Sequence, residues 1–100
     1  MARRQFQDVF PEVLFGSESY NAGSIVDGNE EVGELTIVGA ALGDFVLASH
    51  GVDVVDLAVT AQVTAADTVT YQLLNNTGGT LDLAAATFRC VVLKRNPAYV

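Results

Sequence analysis

The sequence predicts an all-β fold, a small antiparallel β-sandwich or barrel with an extended N-terminal arm. Three observations carry the prediction. From Tyr20 onward, apolar and polar residues alternate with period two in short runs. The runs recur at spacings of roughly ten residues, the rhythm of a small all-β domain. Glycines at positions 16, 23, 28, 33, 39, 43 and 51 punctuate the first half of the chain. At 100 residues and 10.5 kDa, there is room for one domain. The division expected is an arm over 1–20 and a β domain over 21–100.

The arm differs in composition from the rest. It holds Phe6, Phe10, Phe15 and Tyr20. Phe6, Val9, Phe10, Val13 and Leu14 have helical spacing, but Pro11 interrupts them. Proline disfavours the α conformation at the residue before it and removes a backbone donor. An extended segment with one helical turn begun at Pro11 is therefore expected. So many phenylalanines must be buried somewhere. Either the domain's own core or a pocket on a neighbouring subunit would serve.

The strands follow in order. Leu35 to Val38 reads as a short strand. Asp44 to Ser49 is the next, with Phe45 and Leu47 on one face. Gly51 to Asp56 forms a turn or bend. Leu57 to Thr64 has the clearest alternation: Leu57, Val59, Ala61 and Val63 point one way, and Ala58, Thr60, Gln62 and Thr64 the other. Ala65, Ala66 and Asp67 turn the chain into a strand whose Val69, Tyr71 and Leu73 face inward. Asn75 to Gly79 is a loop of residues that tolerate positive φ. The last strand, Thr87 to Lys94, puts Phe88, Cys90 and Val92 on one face and Arg89, Val91 and Leu93 on the other. The second face is mostly apolar, so both sides of this strand are expected to be covered. Lys and Pro, the usual guards of exposed sheet edges, are absent between residues 12 and 93. That suggests edges covered by other subunits.

Charge separates along the chain. The net charge is −7, from twelve Asp and Glu against five Lys and Arg. No Lys or Arg lies between Gln5 and Phe88, and all twelve acids do. An acidic body with basic ends is a solvated domain with ordinary tails, or one whose basic ends meet the acidic bodies of neighbouring copies or an acidic scaffold, which would set orientation. The acidic balance disfavours nucleic acid as a partner. No apolar run has the ~18 residues of a membrane span, and no signal peptide is read. With one cysteine there is no disulfide within the chain.

Chemistry-bearing residues are sparse. Cys90 alternates with Phe88 and Val92, the setting of a buried, inert thiol. His50 is the only histidine, and no third group suggests itself to orient a Cys–His pair. One His and one Cys are too few for a zinc site. Asp27, Glu30, Glu31 and Glu34 cluster, as do Asp53 and Asp56, yet the Asp-x-Asp-x-Asp-Gly loop of a dedicated calcium site is missing. Solvated loop acids are the default reading. No P-loop or dinucleotide fingerprint is present. No cofactor, metal or catalytic residue is expected. Asn75-Asn76-Thr77 matches the glycosylation sequon.

Two stretches carry a family resemblance. Leu42 to Ser49 reads Leu-Gly-Asp-Phe-Val-Leu-Ala-Ser. Within Leu57 to Lys94 stand Ala66-Asp67-Thr68-Val69, then Asn75-Asn76-Thr77-Gly78-Gly79, then Thr87-Phe88-Arg89. Together they resemble small β-rich virion proteins of tailed bacteriophages, over roughly residues 35–95. The resemblance implies a capsid decoration (cement) protein, trimeric, on the outer surface of a head assembled in the host bacterial cytoplasm. Its partners would be the major capsid protein and further copies of itself. A tail- or fibre-associated protein that binds a host receptor is the alternative. On this reading Phe6, Phe10 and Phe15 are the anchors for capsid or subunit contacts, and Arg3 and Arg4 add ionic contacts.

Overall fold

A computed structural model describes residues 5–100. Arg3 and Arg4 lie outside the described residues. The fold is all-β and antiparallel, built from two three-stranded sheets that do not close into a barrel. The first sheet contains β1 (Glu12–Tyr20), β8 (Ala86–Lys94) and β4 (Phe45–His50), with β8 in the centre. The second contains β3 (Glu30–Thr36), β6 (Thr68–Leu74) and β5 (Ala58–Ala65), with β6 in the centre. Two-residue strands β2 (Ser24–Ile25) and β7 (Leu81–Asp82) pair at one end. A short helix, α1 (Gln5–Val9), precedes them all.

The N-terminal segment departs from expectation in two respects: residues 12–20 are not an arm apart from the β domain but an edge strand of its first sheet, and the helical turn lies elsewhere. Its helical turn ends at Val9 instead of beginning at Pro11. The reason is the restriction proline places on Phe10, which ends a helix ahead of it. Residues 12–20 are extended, and they pair with β8 along their whole length, from Glu12↔Lys94 to Tyr20↔Ala86.

β3 also begins earlier than its apolar residues suggest. Glu30, Val32, Glu34 and Thr36 point outward, so Glu30, Glu31 and Glu34 belong to a strand and not to a loop. Gly33 breaks the inward row for a packing reason. A Cβ there would stand 2.7 Å from Cε2 of Tyr71, whose ring occupies that space.

The core lies between the sheets. Each strand turns its period-two apolar set inward: Leu35 from β3, Val63 from β5, Val69, Tyr71 and Leu73 from β6, and Phe88, Cys90 and Val92 from β8. Tyr71 and Phe88 bridge the two central strands, stacked at 4.0 Å between ring centroids and 14° between planes. Tyr20 meets the Tyr71 ring edge-on at 5.0 Å.

Turn chemistry locks the layers together. Asp67 takes a positive φ of 62° between β5 and β6. Its Oδ1 accepts from the Gly39 amide at 2.8 Å, its own amide donates to the Ala40 carbonyl, and its carbonyl accepts from the Ile37 amide. One aspartate thus ties the β5–β6 turn to the link between β3 and β4.

Candidate interaction surface

The two sheets present opposite characters to the outside. On the second sheet the outward positions are Glu30, Val32, Glu34 and Thr36 of β3, Ala58, Thr60, Gln62 and Thr64 of β5, and Thr68, Thr70, Gln72 and Leu74 of β6. Thr64 and Thr70 share a hydroxyl hydrogen bond at 2.7 Å. This face is polar and acidic.

The first sheet is the reverse. Strand register aligns Val13, Leu93 and Phe45 in one row across the outer face, and Phe15, Val91 and Leu47 in the next. Ser17, Arg89 and Ser49 form a third row. Phe15 is 83% exposed and Leu47 62%. The second face of β8, expected to be covered, is therefore open within a single chain.

Helix α1 extends this surface. Phe6 and Phe10 lie one turn apart, 5.2 Å between ring centroids. Phe10 meets Phe45 edge-on at 5.4 Å. A five-residue helix is marginal by itself, and the C-terminal segment holds it in place. The Asn96 amide donates to the Val9 carbonyl, and its Nδ2 donates to the Asp8 carbonyl at 2.9 Å. Of the residues singled out in the sequence, Phe6, Phe10 and Phe15 thus fall on one continuous surface. Phe6 and Phe15 are exposed, while Phe10 is half-buried against Phe45.

The motifs of the resemblance have structural tasks. Asp44, in the Leu-Gly-Asp segment, pairs with Lys94 at 2.6 Å and accepts from the Ala41 and Arg95 amides. Burial alone would raise its carboxyl. The Lys94 hydrogen bond, the two backbone amides and the Lys94 charge outweigh that and hold it below the usual carboxylate range. A lowered folded-state pKa stabilises the fold above the unfolded value of about 3.9, and the contribution is lost as pH falls through the folded value. Asp44→Asn is accordingly expected to lower stability at pH 7 and to flatten the fall in stability below about pH 4. Urea denaturation midpoints at pH 7, 4 and 3 check this. An acid limb as steep as wild type contradicts it.

Asn75 closes the Asn-x-Thr-Gly-Gly loop and is fully buried. Its Nδ2 donates to the carbonyls of Ile25 at 2.7 Å and Gly79 at 2.8 Å. Its Oδ1 accepts from the Thr77 amide at 3.0 Å and the Thr77 hydroxyl at 2.7 Å. The acceptor nitrogen of the sequon is therefore committed inside the fold. No sequence signal marked this residue as a structural centre.

Cys90 is buried, with its thiol pushed up to about 11 by burial and by the nearby Glu18 carboxylate. It stays a thiol at neutral pH, as its alternation with Phe88 and Val92 suggests. Glu18 escaped sequence reasoning. It points inward from β1 and accepts a hydrogen bond from the Tyr71 hydroxyl. Burial, followed by that bond, pushes the Tyr71 phenol far above its ordinary value.

His50 packs at 5.4 Å from the Phe88 ring and 6.1 Å from Tyr20. Both its ring nitrogens are buried with no partner among the described residues. It and Cys90 serve the core and share no hydrogen bond. An unpaired buried polar atom costs about 1–3 kcal/mol. His50→Phe is thus expected to stabilise the fold by about 1 kcal/mol, a rise in Tm of about 4–8 °C. Thermal unfolding followed by circular dichroism checks it, and a lowered Tm contradicts it. Among the described residues no group of His, Cys, Asp and Glu has the geometry to hold a metal.

No family model matches the chain, and no curated protein matches its sequence.

Proposed function

We propose that this chain is a decoration (cement) protein of a tailed-bacteriophage head, with a structural rather than a catalytic role. The observation that carries the reading is the apolar surface formed by α1 and the outer face of the β1–β8–β4 sheet. Exposed apolar patches of this extent mark sites of protein contact. The motif residues Asp44, Asp67 and Asn75 are occupied in holding turns, which leaves contact as the work of the surface.

The parts divide as follows. Phe6 and Phe10, at the α1 end, meet the major capsid protein, and Arg3 and Arg4 add charge to that contact. Aromatic side chains concentrate binding energy in small areas. Many copies on one shell make modest single-site affinity sufficient. Repeated across the head, such contacts would brace neighbouring capsomers against internal pressure.

Mixing the purified chain with undecorated heads and sedimenting them tests the reading. Wild type should saturate the heads, and the double variant Phe6→Ser/Phe10→Ser should lose most of that binding with its β-sheet circular dichroism intact. No binding by wild type, or full occupancy by the variant, would overturn it.

A further inference from the structure

The outer face of the β1–β8–β4 sheet is sized and charged for a second copy of this chain. Val13, Phe15, Phe45 and Leu47 are respectively 51%, 83%, 47% and 62% exposed. At 150–250 Å² per aromatic side chain, the two phenylalanines alone expose on the order of 250 Å². Val13, Leu47, the half-buried Val91 and Leu93 and the rim of Ser17, Ser49 and Arg89 extend the face across all three strands, toward the ~800 Å² per partner of a standard interface.

Charge selects the occupant. A chain of net charge −7 repels its own copies, and that repulsion falls away only where the touching surfaces lack acids. The polar sheet face carries Glu30 and Glu34 outward. On the apolar face the outward positions of all three strands are Val13, Phe15, Ser17 and Ser19, then Phe45, Leu47 and Ser49, then Thr87, Arg89, Val91 and Leu93. None is acidic, and Arg89 is the single charge.

Shape agrees with charge. A two-fold contact is isologous, so the surface must match itself. Consider an axis crossing the strands at the row Phe15, Val91 and Leu47, in the plane between two facing sheets. It sets this row against its own copy. It sets Phe45 opposite Ser49, Val13 opposite Ser17, and Leu93 opposite the aliphatic stem of Arg89. Phe45 and Val13 then face serines on both sides of the axis, while Phe15, Val91 and Leu47 meet their own copies.

We propose that the protein forms a two-fold dimer in which the outer faces of the β1–β8–β4 sheets pack against each other. This deepens the virion reading by naming the partner of the strand face, while the α1 end remains the capsid contact. The pairing replaces the threefold set that the sequence resemblance implied.

Sedimentation equilibrium of the full chain tests it without any capsid. Wild type should have twice the 10.5 kDa chain mass at tens of micromolar. Phe15→Ser changes only an exposed side chain and should weaken association at least tenfold. Leu47→Asp should give a monomer, whereas Gln62→Asp on the opposite face should remain dimeric. A monomeric or trimeric wild type, or a dimer unaffected by both Phe15→Ser and Leu47→Asp, overturns the proposal. Head binding by a monomeric wild type would remove the dimer and leave the decoration role intact. A dimer that ignores heads would do the reverse.

Discussion

Phe88→Ala is expected to cost the fold about 3–5 kcal/mol, a large fraction of its stability. Phe88 is fully buried at the centre of β8, stacked on Tyr71 of the opposing sheet and touched by Tyr20 and His50. Truncating a buried phenylalanine costs about 3–5 kcal/mol, from lost burial and from the cavity left behind. A domain of this size has about 5–15 kcal/mol in total. The cavity would open where the sheets are joined, so neither could relax into it without losing the other. Phe88→Leu keeps most of the volume and should cost less than about 1.5 kcal/mol. Urea unfolding of the two variants measures the difference. Equal, small losses would mean that the Tyr71–Phe88 pair does not hold the layers together.

Asn75→Asp is expected to be the most pH-sensitive change in the molecule. It replaces the amide nitrogen that now donates to the Ile25 and Gly79 carbonyls with an oxygen. Ionised, that oxygen would face two carbonyls, with no cation among the described residues bonded to it. Burial and those carbonyls raise the new carboxyl's pKa in the folded state. A raised carboxylate pKa leaves stability intact below the unfolded value of about 3.9 and removes it as pH rises toward the folded value. The loss at pH 7 should reach about 3–5 kcal/mol, the cost of an uncompensated buried charge. At pH 3 the protonated acid can donate to one carbonyl, and most of the loss should vanish. Chemical denaturation at both pH values checks this. A pH-independent loss would show that the missing donor, and not the buried charge, sets the cost.

The parts of the fold that were readable are those in which side-chain alternation is complete. β5, β6 and β8 each carry an unbroken apolar row at every second position, and all three lie within a residue or so of where that row places them. The first strands were harder because their inward rows contain residues chosen by distant neighbours. Gly33 is inward because Tyr71 needs the space. Gly16 is inward because a Cβ there would lie 2.8 Å from Cγ1 of Ile37. Glu18 is inward because the Tyr71 hydroxyl needs an acceptor. None of these reasons lies within its own segment, so local periodicity fails at each. The candidate surface divides in the same way. Phe6, Phe10 and Phe15 stand out by residue type. That Phe15 is joined to Phe45 and Leu47 follows from the pairing of β1 and β4 with opposite sides of β8, which no short window of sequence contains.

That pairing also dictates when the protein can fold. β8 is the centre of its sheet, yet it is the last strand to leave the ribosome. β1 and β4 form no ladder with each other, so both must wait unpaired for residues 86–94 to arrive. Contacts between residues 12 and 94 are about as non-local as this chain allows, and such contacts slow folding. During synthesis Phe15, Phe45 and Leu47 are therefore displayed on open strands, exposed to aggregation or to chaperone capture. A chain cut short before Ala86 would lose the first sheet entirely, and with it Phe88, the partner on which Tyr71 of the other sheet is stacked.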